Sequence, residues 1–403
     1  MKNRGLEPQL LVLVTLGLVA FGLVMVYSAT SAAAALGGDD PSEFLKRQGT
    51  YALLGLALLI GLSRVDFHAL RPLAPTLLVV SLVLCLAVLL VADPVNGARR
   101  WLSLGPATFQ PSELAKLAFA LWAAAYLARR TPPQTLAELG KPFGLALLLL
   151  GGVIVVEPDL GTTITLFVTA SALLLVAGVP ARVLGAAASV TLALGAAAIW
   201  LEPYRRERLL SFLDPWQDAQ GSGFQIVQAQ IGLGSGGLLG EGLGQGVQKI
   251  HYLPEAHTDM ILAIVGEELG LLGTAGVILA YGVFAWAGLR IALRCKDAFG
   301  KLLAAGLVAL VCGQAAVNLM AVLGLAPLTG IPLPFVSYGG SNLVVQLASV
   351  GILLNVAANG RVAASVPDRG GRDRRPRAAR PRGGGRAAGA RRARDARRVA
   401  RAR

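Results

Sequence analysis

The chain has 403 residues, of which 55% are hydrophobic and only 15% are charged, and its mean hydropathy is +0.62. Soluble globular domains average roughly 45–50% apolar and about 25% charged residues, so the composition excludes an ordinary soluble protein. The apolar residues form continuous runs instead of the alternating pattern of a membrane β-barrel. Because backbone in lipid must satisfy its own polar groups, the sequence predicts an all-α polytopic membrane protein.

The net charge of +14 is concentrated at the C-terminus. Residues 361–403 contain 16 Arg and 3 Asp, whereas residues 1–360 carry 21 Lys and Arg against 20 Asp and Glu. The C-terminal segment is rich in Arg, Ala, Gly and Pro and cannot build a core, so it is predicted to be a disordered cytoplasmic tail near anionic lipid headgroups. It has no aromatic residue for base stacking, and nucleic-acid binding is not expected. Residues 1–360 are predicted to form the transmembrane domain.

The hydrophobic runs predict ten transmembrane helices. They are expected at about 9–28, 49–63, 72–92, 113–128, 142–156, 160–178, 182–200, 260–289, 302–325 and 341–358. Several are shorter than the roughly 20 residues that a perpendicular span needs, which is typical of helices that line an internal cavity. The first run has the basic start of a secretory signal, but its length favours an uncleaved span.

Basic residues in the short loops predict the orientation. The loops assigned to the cytoplasm contain Arg64, Arg71, Arg129, Arg130, Lys141, Arg182, Arg290, Arg294, Lys296 and Lys301, and those assigned to the outside contain only Lys46, Arg47, Arg99 and Arg100. With an even number of spans, both termini are then cytoplasmic. The connection at 201–259 is predicted to be a long extracytoplasmic loop, and its aromatic residues, prolines and short apolar stretches favour an ordered, functional segment.

Ionisable residues at the ends of spans are the candidates for chemistry. Glu113 and Lys116 share a helix face, and Lys116 either binds an anionic substrate or snorkels to the interface. Asp259 lies where the long loop meets the eighth span. A helix N-terminus stabilises a carboxylate there, and a carboxylate at a cavity mouth can also act as a general base on a sugar hydroxyl. Glu255 and His257 lie beside Asp259, but their alternating spacing argues against a shared metal ion, so no metal site is assigned.

Three shorter motifs have alternative interpretations. Residues 157–159 (Glu-Pro-Asp) are explained equally by function and by a tight turn between helices. Residues 99–101 (Arg-Arg-Trp) are ordinary at a membrane surface and equally suit a lipid phosphate. Gly232, Gly234 and Gly237 have the spacing of a dinucleotide site, but no βαβ unit surrounds them. The run of glycines from Gly232 to Gly246 is instead interpreted as a segment where the backbone bends or packs closely.

Six motifs resemble the SEDS family (shape, elongation, division and sporulation). They are Asn96-Gly97-Ala98-Arg99-Arg100-Trp101, Gln110-Pro111-Ser112-Glu113-Leu114-Ala115-Lys116, Glu157-Pro158-Asp159-Leu160-Gly161-Thr162, Phe212-Leu213-Asp214-Pro215-Trp216, Leu253-Pro254-Glu255-Ala256-His257-Thr258-Asp259 and Pro334-Phe335-Val336-Ser337-Tyr338-Gly339-Gly340-Ser341. They stand in the family's order, and the resemblance covers nearly everything from about residue 10 to 360. Residues 255–270 resemble the division branch of the family more than the elongation branch.

The resemblance implies a peptidoglycan glycosyltransferase with about ten helices around a polar cavity that opens to the outer side of the cytoplasmic membrane. It would polymerise lipid II during division or cell-shape maintenance: the sugar 4-hydroxyl of lipid II attacks a growing glycan on undecaprenyl diphosphate, which leaves with inversion. The resemblance assigns the essential carboxylate to Asp259, with Glu255 and His257 beside it. It also makes candidate cavity residues of Arg47, Gln48, Trp101, Glu113, Lys116, Asp159 and Ser337.

The family also implies partners. These are a class B penicillin-binding protein with transpeptidase activity and other proteins of the division or elongation complex. A divalent cation is compatible with the chemistry, and no site is assigned to it. Two other functions stay open at this point, a lipid II flippase and a non-catalytic scaffold of the division complex, because a fold does not determine a function.

Overall fold

The structure is a computed structural model, and it describes residues 5–37, 40–94, 97–105, 107–250 and 253–360. The predicted tail at 361–403 lies outside the described residues. The described part of the chain contains thirteen α-helices, a 3₁₀ turn, a π-helical turn and one antiparallel β-hairpin. In chain order the elements are α1 (Leu6–Gly37), α2 (Glu43–Arg64), the 3₁₀ turn (Phe67–Ala69), α3 (Leu70–Val91), β1 (Leu102–Leu104), β2 (Ala107–Phe109), α4 (Pro111–Leu127), α5 (Leu136–Leu139), the π-helical turn (Gly140–Gly144), α6 (Leu145–Val156), α7 (Leu160–Val176), α8 (Ala181–Leu201), α9 (Pro203–Leu213), α10 (Phe224–Ser235), α11 (Ile261–Arg294), α12 (Ala298–Val322) and α13 (Gly340–Asn359).

The predicted all-α polytopic membrane fold is confirmed, because a helix occupies the position of each predicted span. Within the described residues, seven helical segments are long and apolar enough to cross a membrane by length and composition. Three of the ten predicted spans do not meet this criterion. Helix α2 has charged residues at both ends, and α4 and α7 have only 17 residues each. Most of α4 is buried among other helices, so it does not need the length of a helix that faces lipid on all sides.

The core of the bundle lies around α12 and α13, whose most apolar windows are 78% and 72% buried. These helices pack against α2, α4, α7 and α11. Gly351 brings α13 close to α2, because an added Cβ there would lie 2.6 Å from the carbonyl oxygen of Leu59. Small residues commonly permit such close helix packing in membranes. By contrast, α8 is almost entirely exposed, as expected of a helix that faces lipid.

Different segments of the chain lie at the two ends of the bundle. At one end, Glu7 near the start of α1 forms a 2.5 Å ion pair with Arg294 at the end of α11, and the amide of Lys296 donates a hydrogen bond to the carbonyl of Gly360. Both ends of the described chain therefore lie together. The opposite end holds the starts of α4, α7, α11 and α13 together with the β-hairpin, and we call it the cavity end.

The long connection between α8 and α11 also lies at the cavity end and contains α9 and α10. Its glycine-rich part packs closely against α11, as the sequence predicted. An added Cβ at Gly236 would lie 1.9 Å from the carbonyl oxygen of Gly266. Helix α11 breaks at Gly270, whose φ of +66° is in the left-handed region that favours glycine. Gly270 therefore separates a short first part of α11 from its long second part.

Candidate functional site

A cavity of about 410 Å³ lies at the cavity end. Its walls come from the starts of α4, α7 and α13, the β-hairpin, the α12–α13 connection and the long connection that leads to α11. The charged side chains that line it are Arg100, Glu113, Asp159, Arg208, Glu255 and Asp259. Four carboxylates and two guanidinium groups therefore surround one polar space.

Asp259 lies on the cavity wall two residues before α11 begins. Its carbonyl oxygen accepts a 2.7 Å hydrogen bond from the Asn318 side chain, which also donates to the carbonyl of Ile331 at 2.8 Å. The hydroxyl of Thr258 lies 3.2 Å from Oδ1 of Asp259 and 3.1 Å from Oε2 of Glu255. A hydroxyl has one proton to donate, so the two carboxylates share a single donor.

The environment makes Asp259 a stronger base than an ordinary aspartate. Burial in the cavity wall raises the pKa of Asp259 to about 6, and the negative charge of Glu255 acts in the same direction. The hydrogen bond from Thr258 and the positive charge of Arg208 oppose this rise. At neutral pH the carboxylate is still mostly ionised and has a pKa close to the working pH, which is the condition for efficient general-base catalysis.

A strained turn holds Glu255 beside Asp259. The φ of Glu255 is +54°, which is uncommon for a residue other than glycine, and the turn is closed by a 3.0 Å hydrogen bond from the Thr258 amide to the Glu255 carbonyl. Such conformations cost about 1–3 kcal/mol and occur mostly where the surroundings impose them. Burial lowers the pKa of His257, so its imidazole is neutral at pH 7.

The α12–α13 connection braces this turn from the other side. The amide of Tyr338 donates to the carbonyl of His257 at 2.9 Å, and the rings of Phe44, His257 and Tyr338 lie 4.8–5.5 Å apart. Gln48 donates to the carbonyl of Ser337 at 3.0 Å, and the Ser337 hydroxyl accepts from the amide of Leu333 at 2.8 Å. These contacts hold the two cavity-lining connections together.

Gln48 and Ser337 therefore contact protein backbone and do not line the cavity, although the sequence placed them among the substrate residues. Arg47 also lies off the cavity wall, with its exposed side chain 2.6 Å from Glu43. Their binding of substrate stays a prediction. The predicted residues that do line the cavity are Trp101, Glu113, Asp159, Glu255, His257 and Asp259.

Lys116 lies behind the wall. It is fully buried, and its Nζ donates to Glu113 at 2.9 Å and to Gln314 at 2.6 Å. The second oxygen of Glu113 accepts from the Asn342 side chain at 2.8 Å. The sequence offered two roles for Lys116, binding of an anionic substrate and snorkelling to the interface. Neither describes this position, because Lys116 reaches neither the cavity nor a lipid interface. The ion pair joins α4 to α12 and α13 directly beneath the cavity.

Asp159 has a structural contact and a cavity contact. One carboxylate oxygen caps α7 by accepting from the amide of Thr162 at 3.0 Å, and the other accepts from the Gln110 side chain at 3.0 Å. The turn at residues 157–159 is therefore present, and the functional interpretation of these residues stays a prediction. Gln110 itself was not singled out from the sequence, although it stands within a motif.

Arg208 and Tyr51 are cavity residues that sequence reasoning missed. Arg208 stands in a segment with several other charged residues, and nothing in the pattern distinguishes it from them. Tyr51 stands in an apolar run, where an aromatic residue predicts packing. Arg100 was left open as a lipid-phosphate residue, and the structure places it on the cavity wall.

Together, the fold and the cavity define a polytopic helical membrane protein with a carboxylate of raised pKa and two guanidinium groups around a cavity at one end of its bundle. Among the described residues, no cluster of three or more His, Cys, Asp or Glu side chains could hold a metal ion. The sequence model of the FtsW, RodA and SpoVE proteins, described as "Cell cycle protein", matches residues 8–362. The chain belongs to this family, which confirms the resemblance found in its motifs.

Relatives and solved structures agree with this assignment. The chain is 41% identical to the "Probable peptidoglycan glycosyltransferase FtsW" of Geobacter metallireducens over 86% of this chain and 93% of the relative. It is 40% identical to the stage V sporulation protein E of Bacillus subtilis over 90% of this chain and 100% of the relative.

Two solved structures share the fold. A chain from a peptidoglycan synthase complex that coordinates polymerization and crosslinking has a TM-score of 0.72 and 33% identity, with coverage of 86% of this chain and 96% of that chain. The rod shape determining protein RodA of Thermus thermophilus has a TM-score of 0.64 and 29% identity, with coverage of 88% and 97%.

Proposed function

We propose that this protein is an inverting peptidoglycan glycosyltransferase that polymerises lipid II into glycan strands. Its relatives bear the name of such an enzyme or of a sporulation protein of the same family. The observation that carries the proposal is the position of Asp259, a half-buried carboxylate with a raised pKa on the wall of a polar cavity that also holds Arg100 and Arg208.

The reaction needs a base and a place for an anionic leaving group. The oxygen of the acceptor's 4-hydroxyl forms a bond to the anomeric carbon of the donor, and its proton passes to the carboxylate of Asp259. The bond from that carbon to the diphosphate oxygen breaks on the opposite face, and the oxygen keeps the electron pair. A well-placed base typically contributes 10²–10⁴-fold to such a step, and cations near the leaving oxygen stabilise the developing charge.

The membrane orientation that we propose is supported by charge and connectivity. The cavity end holds few of the basic loop residues, whereas the end with Glu7, Arg294 and Gly360 holds many. By the positive-inside rule, this asymmetry supports a cavity on the outside and both termini in the cytoplasm. Reporter fusions after Pro367 and within 215–250 should report opposite sides. Two reporters on the same side would contradict this orientation.

The partner we propose is a class B penicillin-binding protein with transpeptidase activity. A structural neighbour of this chain comes from a complex that couples polymerization to crosslinking. Glycan strands made here would then be crosslinked by the partner, together with other proteins of the division or elongation complex. Copurification of the full-length chain with such a transpeptidase tests this pairing.

The central experiment is polymerisation of lipid II by the purified protein, with and without the transpeptidase, for three variants. Asp259→Asn keeps the size and hydrogen bonding of the side chain but removes the base, so we expect a folded protein that makes no glycan. Glu255→Gln should remain active, and so should Glu241→Gln, which changes an exposed carboxylate of the same long connection outside the cavity.

The outcomes separate the alternatives. If Glu255→Gln is inactive and Asp259→Asn is active, the base is Glu255. If both variants polymerise at the wild-type rate, the glycosyltransferase assignment of this cavity is wrong. A lipid II flippase would then become the leading function, to be tested by translocation in vesicles.

A further inference from the structure

The charged groups on the cavity wall restrict where an anionic diphosphate can bind. A diphosphate diester is doubly anionic, and placing it in a partly enclosed site without cations is costly. Within the described residues, the only cationic side chains that line the cavity are Arg100 and Arg208. Lys116 is enclosed and already bonded to Glu113 and Gln314, so it cannot contact a ligand in the cavity.

Arg100 is held in place by the turn between α6 and α7. Its Nε donates to the carbonyl of Glu157 at 3.0 Å, and its Nη2 donates to the carbonyl of Pro158. These bonds use two of the five N–H groups of a guanidinium and fix its plane against the cavity wall. No carboxylate of the described residues forms an ion pair with Arg100. Its positive charge therefore remains available to a ligand.

Arg208 lies on a different wall, in α9. Its Nη1 lies 3.5 Å from the carbonyl of Leu328 in the α12–α13 connection. Its charge also acts on Asp259, because it lowers the pKa of that carboxyl. Because Arg208 and Asp259 line the same cavity, an anion beside Arg208 occupies the same space as the proposed base. The two guanidinium groups come from segments that the fold brings to one cavity from positions more than a hundred residues apart.

We propose that Arg100 and Arg208 together form the subsite for the diphosphate of the polyprenyl-linked donor and stabilise it as it leaves. The inference rests on the proposed function and deepens it. As the anomeric carbon–oxygen bond breaks, its electron pair and the negative charge pass to the diphosphate oxygen, which the two guanidinium groups contact. Arginine suits this role because its planar fork bonds two phosphate oxygens at once.

The test is direct binding of undecaprenyl diphosphate to the full-length protein in nanodiscs, with undecaprenyl monophosphate as the comparison ligand. We expect the wild type to prefer the diphosphate. Arg100→Gln and Arg208→Gln should each weaken its binding by about ten- to a hundredfold, as expected for loss of a hydrogen bond to a charged group. Arg99→Gln and Arg206→Gln are the matched controls, because these neighbours do not line the cavity, and should bind like the wild type.

Conservative variants guard against a folding defect. Arg100→Lys and Arg208→Lys keep the charge but not the fork, so we expect them to bind anions while losing most of the preference for diphosphate over monophosphate. Thermal unfolding in the same nanodiscs checks that each variant is folded. Unchanged binding in folded Gln variants would overturn the proposal.

Kinetics distinguish the donor from the acceptor, since both carry a diphosphate. A leaving-group subsite predicts that the Gln variants lower kcat for polymerisation. A raised KM with unchanged kcat would overturn the leaving-group role and assign the pair to the acceptor's diphosphate. Failure of the proposed function would give another combination of results. The wild type would bind undecaprenyl diphosphate through these residues but form no glycan from lipid II.

Discussion

Two groups of charged residues lie close together in this protein, and they differ in what their polar atoms contact. In the first group, Lys116 beneath the cavity and Glu113 on its wall are bonded to each other and to Gln314 and Asn342. In the group on the wall, Arg100, Arg208, Glu255 and Asp259 face a polar space. The first group joins helices, and the second lines the cavity in which a ligand would bind.

A second buried ion pair behaves like the first group. Lys249 lies 2.6 Å from Glu268, and the hydroxyl of Ser28 donates to the same carboxylate at 2.7 Å, with all three side chains buried. This cluster joins α1, the long connection and the first part of α11. Ionisable residues within a membrane protein therefore have at least two uses here, and only their contacts tell them apart.

Removing Lys116 should have the largest effect on stability. Lys116→Ala leaves the carboxylate of Glu113 buried without a counter-charge, and breaking a buried pair in this way typically costs about 3–5 kcal/mol. We expect a large drop in the unfolding temperature in detergent and little folded protein. The double variant Lys116→Met, Glu113→Gln removes both charges and should recover much of the stability.

The opposite result would be a Lys116→Ala variant that is as stable as the wild type and has a raised KM for lipid II. It would support the role that the sequence predicted for Lys116, which is binding of an anionic substrate. It would show that Lys116 contacts substrate and that the contacts beneath the cavity are not its main role.

The next prediction concerns the pH dependence of polymerisation. Because the base must be ionised and the pKa of Asp259 is about 6, kcat/KM should fall tenfold per pH unit below about pH 6. Glu255→Gln removes a negative charge that raises this pKa, so the acidic limb should move to lower pH. Glu241→Gln should leave the limb in place. An acidic limb that does not move in Glu255→Gln would show that the two carboxylates do not interact.

Glu157 tests the same comparison at a buried carboxylate that forms no ion pair among the described residues. Its side chain is buried, and neither carboxylate oxygen has a hydrogen-bond partner among the described residues. Burial and the charge of Asp159 raise the pKa of Glu157 to about 8. The folded state therefore keeps a proton that the unfolded state loses above about pH 4.5, so this group's contribution to stability falls as pH rises from about 4.5 to 8.

Glu157→Gln should remove that dependence. Unfolding temperatures of the wild type and the variant, measured at pH 5 and pH 8 in the same detergent, check it. The difference between the two pH values should be smaller in the variant. Equal differences would mean that Glu157 is ionised in the folded protein.

The smallest effect is expected for Tyr51→Phe. The hydroxyl of Tyr51 accepts from the amide of Thr108 at 3.1 Å and fixes the β-hairpin over the cavity. Losing one such hydrogen bond typically costs about 0.5–1.5 kcal/mol. We expect a small fall in unfolding temperature, with polymerisation within a few-fold of the wild type. A hundredfold loss of polymerisation would instead show that Tyr51 contacts substrate.

The sequence by itself determined the class of fold. Continuous apolar runs can satisfy their backbone in lipid only as helices, and each predicted run is a helix in the structure. Boundaries were less well predicted. Helix α1 continues to Gly37 instead of ending near residue 28, because the alanine-rich segment that follows the apolar run has a high intrinsic helix propensity.

The tertiary structure alone decided which motif residues face the cavity. Lys116 is bonded to Gln314, which stands 198 residues away, and Arg208 reaches the carbonyl of Leu328, 120 residues away. A helical pattern predicts which face of its own helix a side chain occupies, but it does not identify the helix that packs against that face. Whether a charge is enclosed or open to substrate depends on that partner, and therefore on the packing of the whole bundle.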